Sequence, residues 1–522
     1  MAEKKPNRKI LKIVAAVAVV VIVVVALYMT VLPSLFGPPP QRLLRAVWGT
    51  EPVNLNPHDF RTVQDYAMMQ TVYEGLCRIS PEGEVVGVLA ESWKSADLIV
   101  WDFKLRQGVK FHDGKPFDAE AVAQIYAKLL DPKAPPYMQK GAISPPLKTV
   151  EAVDKYTARF TCDKRDAFLP NKLAYNPGFI ASPYSFDNIN TVAVGTGPFR
   201  FVQWVKGYQM VLERNPDYWG EKPWLDKIIY KFAMEGSVRV AMLEAGEVDV
   251  AERVSALDAT RLKQTQNLDV MGGATQRVVQ IGINCLKKPF DNPKVRQALN
   301  YAVDKEAIVN KIFLGYTTPV DCVVAKGCLH YVSTKYYKYD PDMAKKLLAE
   351  AGYPNGFKTT FQVGWGRITA DKDVVEAVQS MLANVGVEAK IDAMVWAEHA
   401  LRLRVAPEKA THELFLDSWG SVTAEPDWTV RRRYSKAGFP PDYNYCYYVN
   451  PRVEELTPTG PAEADPAKRL EIYKEIYKIL MDEPAFIWLY HDPVLVGIRK
   501  GWTGIRVQSN VESVDLRYAS FK

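Results

Sequence analysis

Cysteine and histidine are scarce in this sequence, with six residues of each among 522. The cysteines form no C-x-x-C pair, and no cysteine–histidine spacing matches a zinc site, so we predict no metal ligands. Cys322 and Cys328 are close enough in sequence to close a short disulfide loop, provided that the domain lies outside the cytoplasm. The alternative is that all six cysteines are separate buried thiols.

Signatures of the common enzyme classes are also missing. The chain has no G-x-S-x-G, no H-E-x-x-H, no Walker loop and no set of kinase motifs. Residues 195–199 read G-T-G-P-F, but no G-K-[ST] follows the glycines, which excludes a phosphate loop. The sequence therefore predicts neither catalytic residues nor a cofactor.

The body of the chain has little excess charge of either sign. Of the net charge of +6, five basic residues lie within the first twelve positions, so the remainder is almost balanced. No basic stripe indicates a nucleic-acid surface. The composition, 48% apolar and 24% charged, is that of a folded globular protein. At this length we predict more than one domain.

An uncharged apolar run occupies residues 13–36 and exceeds the ~20 residues that a transmembrane helix needs. The basic segment 1–12 before it predicts a cytoplasmic N-terminus with the rest of the chain outside. No convincing cleavage site and no cysteine for lipid attachment follow the run, which favours an uncleaved anchor over a cleaved signal peptide. Residues 37–41 contain three prolines and predict a stiff linker.

The most informative stretch is residues 93–130, WKSADLIVWDFKLRQGVKFHDGKPFDAEAVAQIYAKLL. The alternation of Trp101, Phe103 and Leu105 with polar residues predicts a strand with one buried face. Asp118 is the expected N-cap of a following helix. The spacing of the apolar residues after it predicts one buried helix face.

Residues 101–122 follow the pattern W-x-F-x-L-R-x-G-V-x-F-H-D-G-x-P-F-x-A-E-x-V. This segment closely resembles the extracytoplasmic solute-binding proteins of ABC importers, in family 5, whose members bind dipeptides, oligopeptides, nickel or glutathione. Residues 195–199, N-P-D-Y-W at 215–219 and the segment 281–306 resemble further motifs of that family. The resemblance covers essentially all of residues 42–522.

The resemblance implies an α/β protein with a two-lobed periplasmic-binding-protein-like fold, preceded here by the transmembrane helix. It places lobe I, with an extra subdomain, at residues 42–284, lobe II at 285–483, and a return to lobe I at 484–522. The lobes would close around a ligand by hinge motion. The alternation of helices and strands predicts a mostly parallel sheet in each lobe.

Residues 414–448 are the expected source of ligand contacts. In peptide-binding relatives an acidic residue of this region pairs with the ligand's amine, and we predict Asp427 for this role, with Glu425 and Asp417 as alternatives. Arg431 is our prediction for the ligand's carboxylate, because a guanidinium donates two parallel hydrogen bonds. The D-W pair followed by arginines is closest to the glutathione-binding branch. The alternative for the three arginines is a solvated helix face.

Three aromatic residues complete the predicted site. Trp419 is expected in a loop that leaves a buried strand, where it could cover a ligand. Trp365 also follows a predicted strand. Tyr66 enters a helix at a place where relatives direct side chains toward the ligand. Packing in the core is the alternative for Tyr66 and Trp419.

These features predict a monomeric extracytoplasmic protein, periplasmic or at the cell surface and anchored to the cytoplasmic membrane. It would capture a short peptide or glutathione-like solute and deliver it to ABC permease and ATPase subunits, without nucleic acid. A nickel- or metal-chelate-binding component is an alternative, opposed by Asn176 at a place where nickel-binding relatives carry arginine. An extracytoplasmic peptidase and a sensory binding partner are alternatives from other classes.

Overall fold

The computed structural model describes residues 41–60, 62–80, 83–133, 147–175, 178–334, 337–510 and 512–522. The predicted basic segment, the predicted anchor, nearly all of the linker and Asn176 lie outside these ranges. Within them, no helix combines the length and the apolar character that crossing a bilayer requires.

The first part of the chain forms one side of a large sheet and a separate four-stranded sheet, β5-β6-β8-β7. Its elements in chain order are β1 (Leu43–Trp48), α1 (Val63–Met69), β2 (Glu74–Gly75), β3 (Cys77–Ile79), β4 (Val85–Gly87), β5 (Ala90–Lys94), β6 (Val100–Leu105), α2 (Ala119–Leu130), β7 (Leu147–Asp154), β8 (Thr157–Cys162), α3 (Leu169–Leu173), β9 (Phe179–Ile180), a 3-10 helix (Pro183–Asn188), β10 (Phe199–Val205), β11 (Gln209–Arg214), β12 (Lys227–Phe232), α4 (Gly236–Glu244), β13 (Val250–Ala251), α5 (Ala256–Lys263) and β14 (Leu268–Ile283).

The second part completes the large sheet and covers it with helices. Its elements in chain order are α6 (Pro293–Ala302), α7 (Lys305–Ala307), a π-helical turn (Ile308–Ile312), α8 (Pro341–Glu350), β15 (Phe357–Trp365), α9 (Asp371–Ala383), β16 (Val387–Val395), α10 (Trp396–Leu403), a 3-10 helix (Pro407–Lys409), β17 (Leu414–Gly420), α11 (Pro426–Tyr434), a 3-10 helix (Lys436–Gly438), α12 (Pro451–Leu456), α13 (Thr459–Ala462), α14 (Pro466–Asp482), β18 (Phe486–Arg499), β19 (Trp502–Thr503), β20 (Arg506–Gln508), β21 (Ser513–Asp515) and β22 (Ser520–Phe521).

The strand and helix predicted within residues 93–130 are confirmed as β6 and α2. Trp101, Phe103 and Leu105 are buried on one face of β6. Asp118 caps α2, because its Oδ1 accepts a hydrogen bond from the Ala121 amide at 3.0 Å. This conspicuous sequence motif therefore builds a scaffold.

The large sheet has ten strands in the order β10-β11-β12-β1-β13-β18-β14-β17-β15-β16. Parallel pairing occurs at β12-β1-β13 and at β17-β15-β16. The centre, β13-β18-β14-β17, is antiparallel, as is the edge β10-β11-β12. The prediction of a mostly parallel sheet is therefore wrong, because two long antiparallel strands form the middle of the sheet.

Those two strands, β14 and β18, join two groups of hydrophobic cores. Leu268 and Val494 pack in cores built mainly from residues before position 283, which we call the N-terminal half. Ile281 and Ile487 pack in cores built mainly from later residues, which we call the C-terminal half. The pairing of β14 with β18 is interrupted between Ala274 and Val278, which places a β-bulge at the junction of the halves. The predicted lobe boundaries stay a prediction.

Gly272 of β14 allows this close pairing. Its φ is +101°, and a β-carbon would lie 2.0 Å from the carbonyl oxygen of Val494 on β18. We expect Gly272→Ala to lower the free energy of unfolding by more than about 2 kcal/mol, measured by urea unfolding. Gly207→Ala is the control, because Gly207 also has positive φ but no atom near its β-carbon position; it should cost about 1 kcal/mol. Equal losses would contradict the steric explanation.

The cysteines follow the second of the two sequence alternatives. All six are free, and five of them, including Cys322 and Cys328, are buried. Burial raises the pKa of the Cys322 thiol to about 11, so this group stays a neutral, unreactive thiol at ordinary pH.

Candidate ligand-binding cleft

The β14 bulge places an arginine between the two halves of the molecule. Arg277 Nε donates to Glu512 Oε1 at 2.6 Å, and its Nη1 donates to Ser418 Oγ on β17 at 3.1 Å. Arg253, after β13, donates from Nη2 to Glu512 Oε2 at 3.3 Å, and its Nη1 lies 3.8 Å from Asp492 Oδ2 on β18. Arg253, Arg277, Asp492 and Glu512 form what we call the arginine–carboxylate cluster.

The charges in this cluster balance each other. Burial opposes ionisation of Glu512, but the charges of Arg277 and Arg253 outweigh burial and lower its pKa. Asp492 is less well compensated, since burial raises its pKa to about 6. Two guanidinium groups thus face two carboxyl groups deep in the molecule, so the cluster itself has little net charge available for a ligand.

A third guanidinium, that of Arg367, lies near the cluster and is not neutralised by it. Its side chain is exposed, yet surrounding protein and then the charge of Arg277 lower its pKa to about 10. Arg367 lies 4.7 Å from the ring centroid of Trp396 and makes no ion pair with a described carboxylate. It is the best-placed cation for an anionic ligand.

The two predicted tryptophans occupy neighbouring strands of the large sheet. Trp365 is the last residue of β15, two positions before Arg367, and is half-buried. Trp419 lies within β17, next to Ser418, so the prediction that it enters a loop is wrong. Its ring packs on Trp428 with centroids 5.9 Å apart, and its Nε1 donates to Thr429 Oγ1. Pairing with β14 holds Trp419 in the sheet, and the residue is only partly buried.

Tyr66 faces the core from α1. It is 6% exposed and stacks on Tyr175 and Phe179, with ring centroids 5.6 and 5.3 Å away. Burial raises the pKa of its phenol to about 12. Tyr175 in turn lies close enough to Arg277 for that charge to affect its pKa. Tyr66 therefore supports a wall of the cleft, and direct contact with a ligand stays a prediction.

The two predicted charged contacts bind each other. Asp427, near the start of α11, is 2% exposed, and its Oδ2 accepts from Arg431 Nε at 3.2 Å. The same oxygen lies 3.8 Å from Lys172 Nζ of α3. Lys172 also donates to Asp166 at 2.6 Å. Asp166, Lys172, Asp427 and Arg431, which we call the lysine network, join the two halves, and a ligand contact by Asp427 or Arg431 stays a prediction.

The two acidic alternatives have structural partners as well. Glu425 is the N-cap of α11, where it accepts from the Trp428 amide at 3.2 Å and from Thr423 Oγ1 at 3.0 Å. Asp417 is paired with Arg433, and both are buried. Neither carboxylate is presented to the cleft as a free group.

Glu425 should make stability depend on pH. It is fully buried, and burial, followed by the charge of Asp427, raises its pKa to about 7 from 4.5. Between these values the folded chain holds a proton that the unfolded chain has lost, so this residue favours folding less as pH rises. We expect Glu425→Gln, relative to the parent, to gain roughly 1–3 kcal/mol between pH 5 and pH 8. Urea unfolding at both pH values measures this, and a constant difference would contradict it.

Little in the sequence indicates the arginine–carboxylate cluster. Its members come from four separated segments, and Arg253 and Glu512 are 259 positions apart. The one local signal is the polar run 275–277 inside an otherwise apolar strand, which marks the bulge. Arg367 could have been predicted as a candidate ligand contact, because it follows Trp365, itself a candidate, by only two positions.

Comparison with known proteins agrees with this architecture. The model of bacterial extracellular solute-binding proteins, family 5 middle region, matches residues 84–440. The glutathione-binding protein GsiB of Escherichia coli is 31% identical over 481 residues, covering 90% of this chain and 93% of that protein.

Two solved structures extend the similarity to the fold. HbpA2 from Haemophilus parasuis has a TM-score of 0.82 and 27% identity, covering 92% of this chain and all of that one. The ABC transporter-associated periplasmic binding protein DppA from Helicobacter pylori, in complex with peptide STSA, has a TM-score of 0.77 and 26% identity, covering 91% and 98%.

The fold and the cleft define an α/β solute-binding protein that acts outside the cytoplasm as the substrate-binding component of an ABC importer. The chain belongs to family 5 of the bacterial extracellular solute-binding proteins. The resemblance found in the sequence is therefore confirmed. Proteins of this family bind solutes and are not enzymes.

Proposed function

We propose that this chain captures a short peptide or a glutathione-like solute between its two halves and presents it to its permease. In this proposal the apolar run at residues 13–36 anchors the protein to the outer face of the cytoplasmic membrane. GsiB and DppA, whose names and bound peptide describe such ligands, support this proposal. The observation that carries it is the guanidinium of Arg367, which is exposed, lies 4.7 Å from the Trp396 ring centroid and has no ion-pair partner among the described carboxylates.

The chemistry of the cleft suits a small zwitterionic or anionic solute. A guanidinium binds a carboxylate through two parallel hydrogen bonds, and a closed, poorly hydrated cleft strengthens that pair. Trp365 and Trp419, on the neighbouring strands β15 and β17, each keep part of their aromatic surface accessible. Asp427 can meet a ligand amine if Arg431, which keeps 22% of its side chain exposed, turns toward the ligand. Binding would alter no covalent bond.

Native mass spectrometry of the detergent-solubilised full chain tests the proposal. We expect a non-covalent adduct with the mass of a short peptide or of glutathione. A thermal-shift panel of dipeptides, tripeptides, glutathione and nickel–histidine follows. A ligand at 100 times its Kd adds about 2.7 kcal/mol to the stability of the folded state. Stabilisation by the nickel complex alone would support the metal-chelate alternative, and cleaved peptides would support the peptidase alternative.

A further inference from the structure

A cavity of about 380 Å³ adjoins the β14 bulge. Gln276, the chain neighbour of Arg277, is one of its lining residues. The others include Arg78 of β3, Ser80 just after β3, the segment 506–510, and Asp515. Its volume lies within the range of small-molecule sites, about 300–1,000 Å³. We call this space the side cavity.

The side cavity lies on the N-terminal half, beside its junction with the C-terminal half. Gln276 belongs to a crossing strand, and its amide donates to the carbonyl of Ser509 at 2.9 Å. The segment that follows Ser80 touches the C-terminal half, because a β-carbon on Gly83 would lie 2.6 Å from the carbonyl oxygen of Gly327. Gly327 in turn packs against the Gln276 side chain. The cavity therefore lies next to a contact between the two halves.

The charged groups around the side cavity leave a positive excess. Asp515 is the carboxylate among its described lining residues, and both of its oxygens accept from Arg517, at 2.9 and 2.8 Å. Arg78 is half-buried, and Arg506 is exposed with its guanidinium 4.5 Å from the Tyr518 ring centroid. Since Arg517 already pairs with Asp515, neither Arg78 nor Arg506 has an ion-pair partner of its own among the described residues that line the cavity.

Gln276 adds a hydrogen-bonding group. The residue is 3% exposed, and its Oε1 is buried without a hydrogen-bond donor in the described part of the chain. Buried polar groups are nearly always satisfied by protein, water or a ligand. A ligand that carries an N–H group beside its negative charge would match both the arginine charges and the Gln276 oxygen.

We propose that the side cavity binds a carboxylate group next to an N–H donor, and so selects ligands with a second negative charge. This inference rests on the proposed function for the identity of the main ligand. Gln276 is the chain neighbour of Arg277, whose charge lowers the pKa of Arg367, so the side cavity lies beside the cation proposed to bind the main ligand. The selection requires that a ligand of two or three residues occupies both. The same carboxylate chemistry could also come from a separate small anion, and the experiment distinguishes the two sources.

Isothermal titration of the detergent-solubilised full chain with matched ligands tests the selection. The pairs are Ala-Ala-Glu with Ala-Ala-Gln, and glutathione with its glycine amide. We expect the parent to bind the more anionic member at least tenfold more tightly. Arg78→Gln/Arg506→Gln should reduce this preference to within twofold and leave the other members within threefold. The exposed Arg402 lies in α10, and Arg402→Gln, the control, should keep the parent's preference.

Two outcomes overturn the proposal. In the first, the double variant still binds the more anionic ligand more tightly. In the second, its affinity falls equally for both ligands of each pair. Thermal shift with succinate alone tests the second source of the carboxylate. Stabilisation of the parent that the double variant lacks identifies a separate anion. If no peptide or glutathione binds the parent, the proposed function fails. The thermal shift with succinate still tests whether the side cavity binds a carboxylate, and absence of stabilisation by succinate contradicts that binding. Arg506→Gln alone, at an exposed position, repeats each test if the double variant does not fold.

Discussion

Replacement of Lys172 by methionine should lower the free energy of unfolding by about 3–5 kcal/mol. Lys172 is 2% exposed and lies between Asp166 and Asp427, with its ammonium 2.6 Å and 3.8 Å from their carboxylates. Burial alone would lower the pKa of Lys172, but the charges of the two aspartates raise it. Removal of this cation leaves Asp166 without its ion-pair partner and leaves Asp427 with Arg431.

The stability lost on replacement of Lys172 should come from the contact between the two halves. Beside the lysine network, Asn171 Nδ2 donates to the Thr423 carbonyl at 3.2 Å, and the Ala167 amide donates to the Pro461 carbonyl at 2.8 Å. Residues 166–172 thus dock the N-terminal half onto the C-terminal half. Loss of Lys172 should therefore destabilise the closed arrangement first.

Urea unfolding followed by circular dichroism measures the loss. Lys478→Met is the matched control, because Lys478 is also ion-paired on a helix but keeps 80% of its side chain exposed; it should change stability by less than about 0.5 kcal/mol. Adding Asp166→Asn to Lys172→Met should recover part of the loss. A loss below about 1 kcal/mol for Lys172→Met would show that solvent compensates these carboxylates.

Arg367→Ala should weaken binding of the ligand found by native mass spectrometry by about 1.5–3 kcal/mol, or roughly 10- to 150-fold in Kd. The reason is that Arg367 is the cation of the cleft that no described carboxylate neutralises. A ligand carboxylate would lose a charge-assisted, two-bonded partner. Because the side chain is exposed, the stability of the unliganded protein should change little.

Isothermal titration measures this loss, and urea unfolding of the unliganded variant separates binding from folding. Arg402→Ala is the control, since Arg402 is exposed on α10 and pairs with Asp392 and Glu398; its Kd should stay within twofold of the parent. Unchanged affinity in Arg367→Ala would remove the observation on which the proposed function depends.

The sequence predicted local structure well where a single segment determines it. The β6–α2 region was predictable because alternation, an N-cap and a helical stripe are short-range signals. The arrangement of the sheet was not, since β14 pairs with β18 more than 200 positions later, as in Leu268 with Arg499. Helix–strand alternation cannot reveal that two such strands run antiparallel through the centre.

The candidate site was predicted only in part, for the same physical reason. Trp365 and Trp419 were chosen because each lies at the end of a strand pattern, and their contact with a ligand stays a prediction. Asp427 was chosen as a free acid, but Lys172 of a distant helix neutralises it. Arg277 and Glu512 meet only because the bulge and the C-terminal hairpin converge. Charge partners that are hundreds of positions apart leave no mark in local sequence.

The central claim is that two halves close on a solute without altering it. Fluorescence resonance energy transfer between dyes at Val153→Cys and Lys358→Cys tests it most directly. Both positions are exposed, one in each half. The account predicts that the ligand identified by native mass spectrometry raises transfer efficiency saturably, and that dilution reverses this and returns the ligand with its mass unchanged. Constant transfer efficiency with bound ligand, or a chemically altered ligand, would contradict it.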